Sequence, residues 1–136
     1  MKHLIIAFMA GLLVACSTEE KEKEQTKTDK PEQLVEVKDG MYREWYPGKK
    51  QIKYMGGQDE QNRRHGKWSF YAENGKELST TMYFHGLKEG FTVVKYPNGA
   101  LHYRGEYKND MMVGIWTTYD ETGKMISEKD YGYPKK

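Results

Sequence analysis

Cysteine is almost missing from this chain: Cys16 stands alone among 136 residues, which excludes a disulfide scaffold. Proline is scarce, with four. Long apolar runs are also lacking. The longest, residues 4–15, is twelve residues, and as a helix it would reach only about 18 Å, short of a ~30 Å hydrocarbon core. The length itself excludes a large α/β enzyme core. What is present points elsewhere. Charged residues make up 31% and mean hydropathy is −0.95, yet 13% of the residues are aromatic, with 11 Tyr, 3 Trp and 14 Gly. Disordered chains are poor in aromatics, so the composition describes short aromatic strands joined by turns.

Residues 1–15 have the proportions of a secretory signal: a basic start at Lys2, an apolar stretch, and then Leu13-Val14-Ala15-Cys16. That ending resembles a bacterial lipobox, with a small residue before a thiol that accepts diacylglycerol. Cys16 is therefore the expected lipidation site and the mature N-terminus. Ser17 rather than Asp follows it, which by the same resemblance implies outer-membrane rather than inner-membrane delivery if the envelope is Gram-negative. Residues 16–39 form a charged, flexible tether with eight acids, five lysines and no aromatic residue. Leu34, Val35 and Val37 mark where a first strand starts.

Residues 40–136 repeat. Gly66, Gly90 and Gly114 are 24 apart, as are Gly75, Gly99 and Gly123, and Tyr83, Tyr107 and Tyr131. The second and fourth copies carry Trp68 and Trp116; the third has Thr92 and Val93 in that place. Each copy is expected to be a β-hairpin, with type I′ turns at Asn74-Gly75 and Asn98-Gly99 and Thr122-Gly123 in the same place. Folding about these turns sets Tyr71 against Leu78, Tyr96 against Leu101 and Tyr119 against Ile126. It also lays Tyr83, Tyr107 and Tyr131 over Gly66, Gly90 and Gly114 as aromatic cover. The uneven Gly-to-Tyr spacing calls for a bulge in some copies. The expected fold is all-β, an elongated antiparallel meander of eight strands in about four 24-residue hairpin repeats. The sequence Gly-x-Trp-x-x-Tyr-x-x-x-Gly followed by Tyr resembles the bacterial variant of the MORN repeat. Many such chains are labelled YwqK-like antitoxins. The resemblance implies a repeat sheet used for binding, and an antitoxin or immunity role toward a cognate toxin.

Chemistry is sparse. His65, His85 and His102 have no His or Cys at ligand spacing, so no metal and no cofactor is expected. No Ser sits in a strand–turn–helix elbow, Glu106, Glu121 and Glu128 lack a cleft, and Gly56-Gly57 has the composition of a turn. The chain is therefore expected to bind rather than catalyse. The repeat domain carries sixteen Lys and Arg against twelve Asp and Glu, a modest excess, and secretion argues against nucleic acid as the partner. A protein partner, such as a cognate toxin, comes first; glycan or anionic lipid of the envelope is the alternative. Alternation from the turns puts Tyr71, Leu78, Val94, Tyr96, Leu101, Tyr103, Tyr119 and Ile126 on a packed face. Trp68, Phe70, Lys95, His102, Arg104, Trp116 and Lys129 fall on the other. Trp and Arg dominate binding hot spots, which makes Trp68, Arg104 and Trp116 the expected contact residues.

Overall fold

The computed structural model describes residues 32–135, so the signal segment, Cys16 and most of the tether lie outside the described residues. The chain folds as one nine-stranded antiparallel sheet in strict sequence order, with no helix among the described residues. The strands are β1 (Val35–Lys38), β2 (Met41–Trp45), β3 (Ile52–Gln58), β4 (Arg64–Tyr71), β5 (Glu77–Phe84), β6 (Leu87–Lys95), β7 (Leu101–Lys108), β8 (Met111–Tyr119) and β9 (Met125–Asp130). The all-β meander of hairpins is as the repeats require. The ninth strand is β1, which pairs with β2 from within the charged segment; eight strands undercounted the sheet by that one.

The turns alternate between two chemistries, and the type I′ geometry sits at the set opposite to the Asn-Gly pairs. Left-handed pairs occur at Asp39-Gly40, His85-Gly86 and Asn109-Asp110, as a two-residue hairpin turn demands. At Asn74-Gly75 only Gly75 is left-handed (φ 83°). Its N–H donates to Ala72 O at 2.9 Å, and the Ala72 N–H donates to Lys76 O at 2.9 Å, which is a type I turn closed by a glycine bulge. Asn74 contributes through its side chain instead, its Oδ1 accepting the Lys76 N–H at 3.1 Å. Tyr96 to Ala100 and Asp120 to Lys124 repeat this closure.

Each hairpin then carries a second bulge just beyond its turn. Tyr71 pairs with Glu77 and Phe70 with Ser79, so Leu78 is the extra residue, not the partner of Tyr71. His102 and Ile126 are skipped in the same way in the next two hairpins. Because one inserted residue exchanges the faces, simple alternation from the turn assigns the wrong side to everything beyond it.

Between hairpins a wider irregularity recurs. The pairs Thr81–Thr92 and Tyr83–Lys88 bracket it in one copy, and Arg104–Thr117 and Glu106–Val113 in the next. The repeat glycines Gly66, Gly90 and Gly114 fall inside it, all at positive φ. Gly66 and Gly90 do face Tyr83 and Tyr107. No tyrosine ring covers them, however: a Cβ at Gly66 would meet nothing within 4 Å, and one at Gly90 would meet only Met82.

Gly114 is covered, but by Tyr133 rather than Tyr131, with the Tyr133 oxygen 2.7 Å from where a Cβ would stand; two further covered glycines lie elsewhere. Gly56 and Gly57 lie inside β3, not in a turn, and a Cβ at Gly56 would fall 2.3 Å from the Trp68 indole. A Cβ at Gly105 would fall 2.2 Å from Trp116. Both indoles lie flat on backbone and their N–H groups reach carbonyls, Trp68 to Gly57 O at 2.8 Å and Trp116 to Glu106 O at 3.1 Å. The rings are flanked by Tyr42 and Tyr83 around Trp68, and by Tyr103 and Tyr107 around Trp116. Such pairs add about 0.5–1.5 kcal/mol each beyond burial, which matters in a single layer with little aliphatic core.

Candidate functional site

The register settles where the expected contact residues stand. Trp68 and Trp116 are 6% and 7% exposed, which leaves almost no ring area for a partner. They share one face with Phe70, Val94, Tyr103 and Thr118, through the cross-strand pairs Phe70–Ser79–Val94–Tyr103–Thr118. Arg104 follows Tyr103 in β7 and belongs to the opposite face, where its Nε donates to Thr117 Oγ1 at 3.3 Å. The three residues therefore cannot form one contact surface. The two tryptophans are core, and the predicted division of the faces fails at Trp68, Phe70, Trp116, Val94 and Tyr103. Cys16 lies outside the described residues.

Above the buried indoles the same face carries cations on aromatic rings. The Arg64 guanidinium lies 4.5 Å from the Trp68 ring centroid and 5.3 Å from that of Tyr83. Lys88 lies 4.7 Å from Tyr107, and Lys129 4.5 Å from Tyr131. Arg64 and Lys88 are one repeat apart, so these two follow the 24-residue period, while Met112 stands at the next equivalent position and Lys129 is off the period.

The Arg104 face is different in kind. Phe91 and Ile115 are 53% and 58% exposed in mid-sheet. With Val93, Arg104, Glu106 and Tyr133 they line one broad depression. A second depression shares Phe91 and Val93 and adds Lys67, Glu77 and Lys95. The polar groups here are held in place. Glu77 accepts from Thr80 at 2.8 Å, Ser69 at 3.0 Å and Lys67 at 3.2 Å. Burial pushes its carboxyl up, but these donors outweigh that and hold it below the ordinary glutamate value. Tyr133 donates to Glu106 at 2.7 Å. Apolar side chains and anchored charges of both signs thus alternate across the middle of the sheet.

A third feature lies at the hairpin edge. The β3–β4 loop brings Asp59 and Arg63 against the His85-Gly86 turn, and His65 and His85 approach to 5.0 Å between ring centroids. No histidine has another at ligand spacing in the sequence, yet the fold brings two together, because the twenty positions between His65 and His85 are closed by the β4–β5 hairpin. Asp59 is held well below the ordinary aspartate value, first by its hydrogen bond with His85 and then by Arg63 and backbone N–H donors.

Two segments of the chain, residues 64–83 and 112–132, match the family described as MORN repeat variant. The first covers most of the β4–β5 hairpin and the second runs through β8 and β9, the two copies that carry the buried tryptophan. No curated protein matches the chain. Fold and matches together define a hairpin-repeat β-sheet protein in which two segments match the MORN repeat variant, and the described residues offer broad faces.

Proposed function

We propose that this chain is a lipoprotein, anchored through Cys16, whose repeat sheet binds a protein partner without catalysis; in the antitoxin reading that partner is a cognate toxin. The observation that carries the binding role is the cluster of exposed Phe91, Arg104 and Ile115 with half-buried Val93 across β6–β8 of one face. Nine strands about 4.8 Å apart and some eight residues long give a face of roughly 1,000 Å², enough for the ~800 Å² that a stable protein complex buries on each side. The charge pattern favours protein over membrane. Arg104, Lys67 and Lys95 are interleaved with Glu77, Glu106 and Glu128, and an anionic surface would be repelled by the three acids.

A pull-down from detergent-solubilised membranes should yield a stoichiometric second protein. Phe91→Asp with Ile115→Asp should weaken that complex by about thirtyfold or more, the scale of a ~2 kcal/mol hot spot, with strand content by circular dichroism unchanged. Retained affinity in the double variant would move the contact off this face. Anchoring has its own test: Cys16→Ser should leave the protein unprocessed and release it from the membrane fraction, and full retention there would disprove the lipid anchor.

A second reading rests on the opposite face, where Arg64, Lys88 and Lys129 stack on Trp68, Tyr83, Tyr107 and Tyr131. Cations presented on aromatic rings suit anionic headgroups or charged glycans of the envelope. Binding to phosphatidylglycerol vesicles that is lost in Arg64→Gln with Lys88→Gln, and unaffected by the Phe91 and Ile115 substitutions, would favour it.

A further inference from the structure

The recess between the β3–β4 loop and the His85-Gly86 turn is lined by Gln58, Asp59, Glu60, Arg63, His65 and His85, among others. Ligand-capable atoms of Asp59, His65 and His85 all lie within 4.8 Å of one another. We propose that these three residues form a binding site for a divalent transition metal of the zinc class, with the Arg63 guanidinium holding the position of the cation.

The hydrogen bonding of His85 is the first ground. Its Nδ1 lies 2.8 Å from Asp59 Oδ2 and 2.9 Å from Arg63 Nη2. A carboxylate only accepts and a guanidinium only donates, so a single ring nitrogen satisfies one of them and opposes the other. Protonated at Nδ1, the ring turns a donor toward Arg63; unprotonated, it turns a lone pair toward Asp59. A metal ion removes the conflict. It replaces the guanidinium, and both the carboxylate oxygen and the imidazole lone pair then point at one positive centre.

The carboxylate is also prepared for one-sided ligation. Asp59 Oδ1 is taken up by the N–H groups of Gln61 and Arg63, both at 3.0 Å, and this leaves Oδ2 for the cation. Arg63 Nε occupies it now, at 2.8 Å. Such a fixed outer shell is what orients ligating carboxylates in metal sites. Both imidazoles are steadied by Phe84, at 5.3 Å from the His65 ring and 4.2 Å from the His85 ring.

His65 is available as well. It lines the recess, and its Nδ1 accepts only a long 3.5 Å contact from the His85 N–H, which a metal ion would outcompete for the lone pair. In the same recess Gln58 Oε1 is buried and finds no hydrogen-bond partner among the described residues. A metal-bound water would supply the missing donor. The Arg63 side chain is 42% exposed, so it can swing into solvent when a metal enters.

Two imidazoles and one carboxylate are an intermediate nitrogen–oxygen set that suits zinc, nickel or copper, and leaves calcium and magnesium poorly served. Around a tetrahedral ion with ~2.0–2.1 Å bonds the ligand atoms stand about 3.3 Å apart, so Asp59 and His85 are already close enough and His65 must close in from a spacing of up to 4.8 Å. The ion would tie the β3–β4 loop to the β5–β6 turn, fastening one repeat to the next.

Zinc chloride titrated into the full chain against a chromophoric chelator should reveal one tight site that is absent in His65→Ala and in His85→Ala. Arg63→Gln should tighten it by about tenfold, the scale of one unit charge removed from beside the ion. All variants keep Cys16, so the difference between them reports on this cluster alone. Zinc uptake unchanged in both histidine variants, or weakened in Arg63→Gln, overturns the assignment. Should the histidine variants fail to fold, histidine resonances of the native chain decide. Shifts at His65 and His85 but not His102 support the site, and their absence rules it out.

Discussion

Gly105→Thr and Trp116→Thr, made separately, should each destabilise the sheet by about 3 kcal/mol, and made together should cost much less than the sum. The single changes fail for opposite reasons. A Cβ at Gly105 would stand 2.2 Å from the Trp116 ring, so the ring must leave its seat. Removing the indole leaves a void over a bare backbone, at the ~3–5 kcal/mol typical of large-to-small changes at buried aromatics. The double change reproduces what the third repeat already does. One period earlier, Thr81 stands where Gly105 does and Thr92 where Trp116 does. Their hydroxyls bond at 2.8 Å, and Thr92 is only 2% exposed. Glycine under tryptophan and threonine beside threonine are two solutions to one packing problem. A double-mutant cycle by urea denaturation should give a favourable coupling of about 2 kcal/mol or more. Additive losses would mean that the two positions do not share a site.

The other large effect is expected at a bulge. Gly90 has φ 101°, outside the left-handed well that asparagine or aspartate tolerates, and a Cβ there would meet Met82 Cβ at 3.3 Å. Gly90→Val should therefore lower stability by at least ~2 kcal/mol, combining backbone strain with crowding against β5. The alternative open to the chain is to lose the bulge and shift register, which would turn Phe91, Val93 and Lys95 to the tryptophan face. Thermal unfolding measures the first outcome and near-ultraviolet circular dichroism of the aromatic ladder detects the second. A variant with native melting temperature and native aromatic signal would show that the conformation of Gly90 is not required.

The period was legible because it is carried by glycine and tyrosine, whose spacing survives every local irregularity. The hairpins and their order followed from it. What alternation from the turns does not reveal is parity. Leu78, His102 and Ile126 each add one residue beyond a turn, and that single step brings Val94 and Tyr103 onto the face of Trp68 and Trp116 and takes Arg104 off it. One signal was present: Thr81 and Gly105 precede Thr92 and Trp116 by eleven residues, and Gly56 precedes Trp68 by twelve, small under large and medium beside medium. That matched exchange betrays a buried contact, and buried aromatics are poor candidates for recognition. The Asp59, His65 and His85 cluster is invisible to spacing rules for another reason. Its members come from a loop, a strand and a turn, joined only when β4 and β5 fold back on each other.

The order of strands has a mechanical consequence. Each strand is bonded only to its neighbours in sequence, from β1 at one edge to β9 at the other. Tension applied through the two chain ends would not shear many hydrogen bonds at once. It would open the outermost ladder bond by bond, as a zipper opens, and only then load the next. Each released strand would feed its residues into slack before the following one yields. The sheet would thus give way under low force in small, separate steps, and its edges would let go while the middle repeats remain assembled.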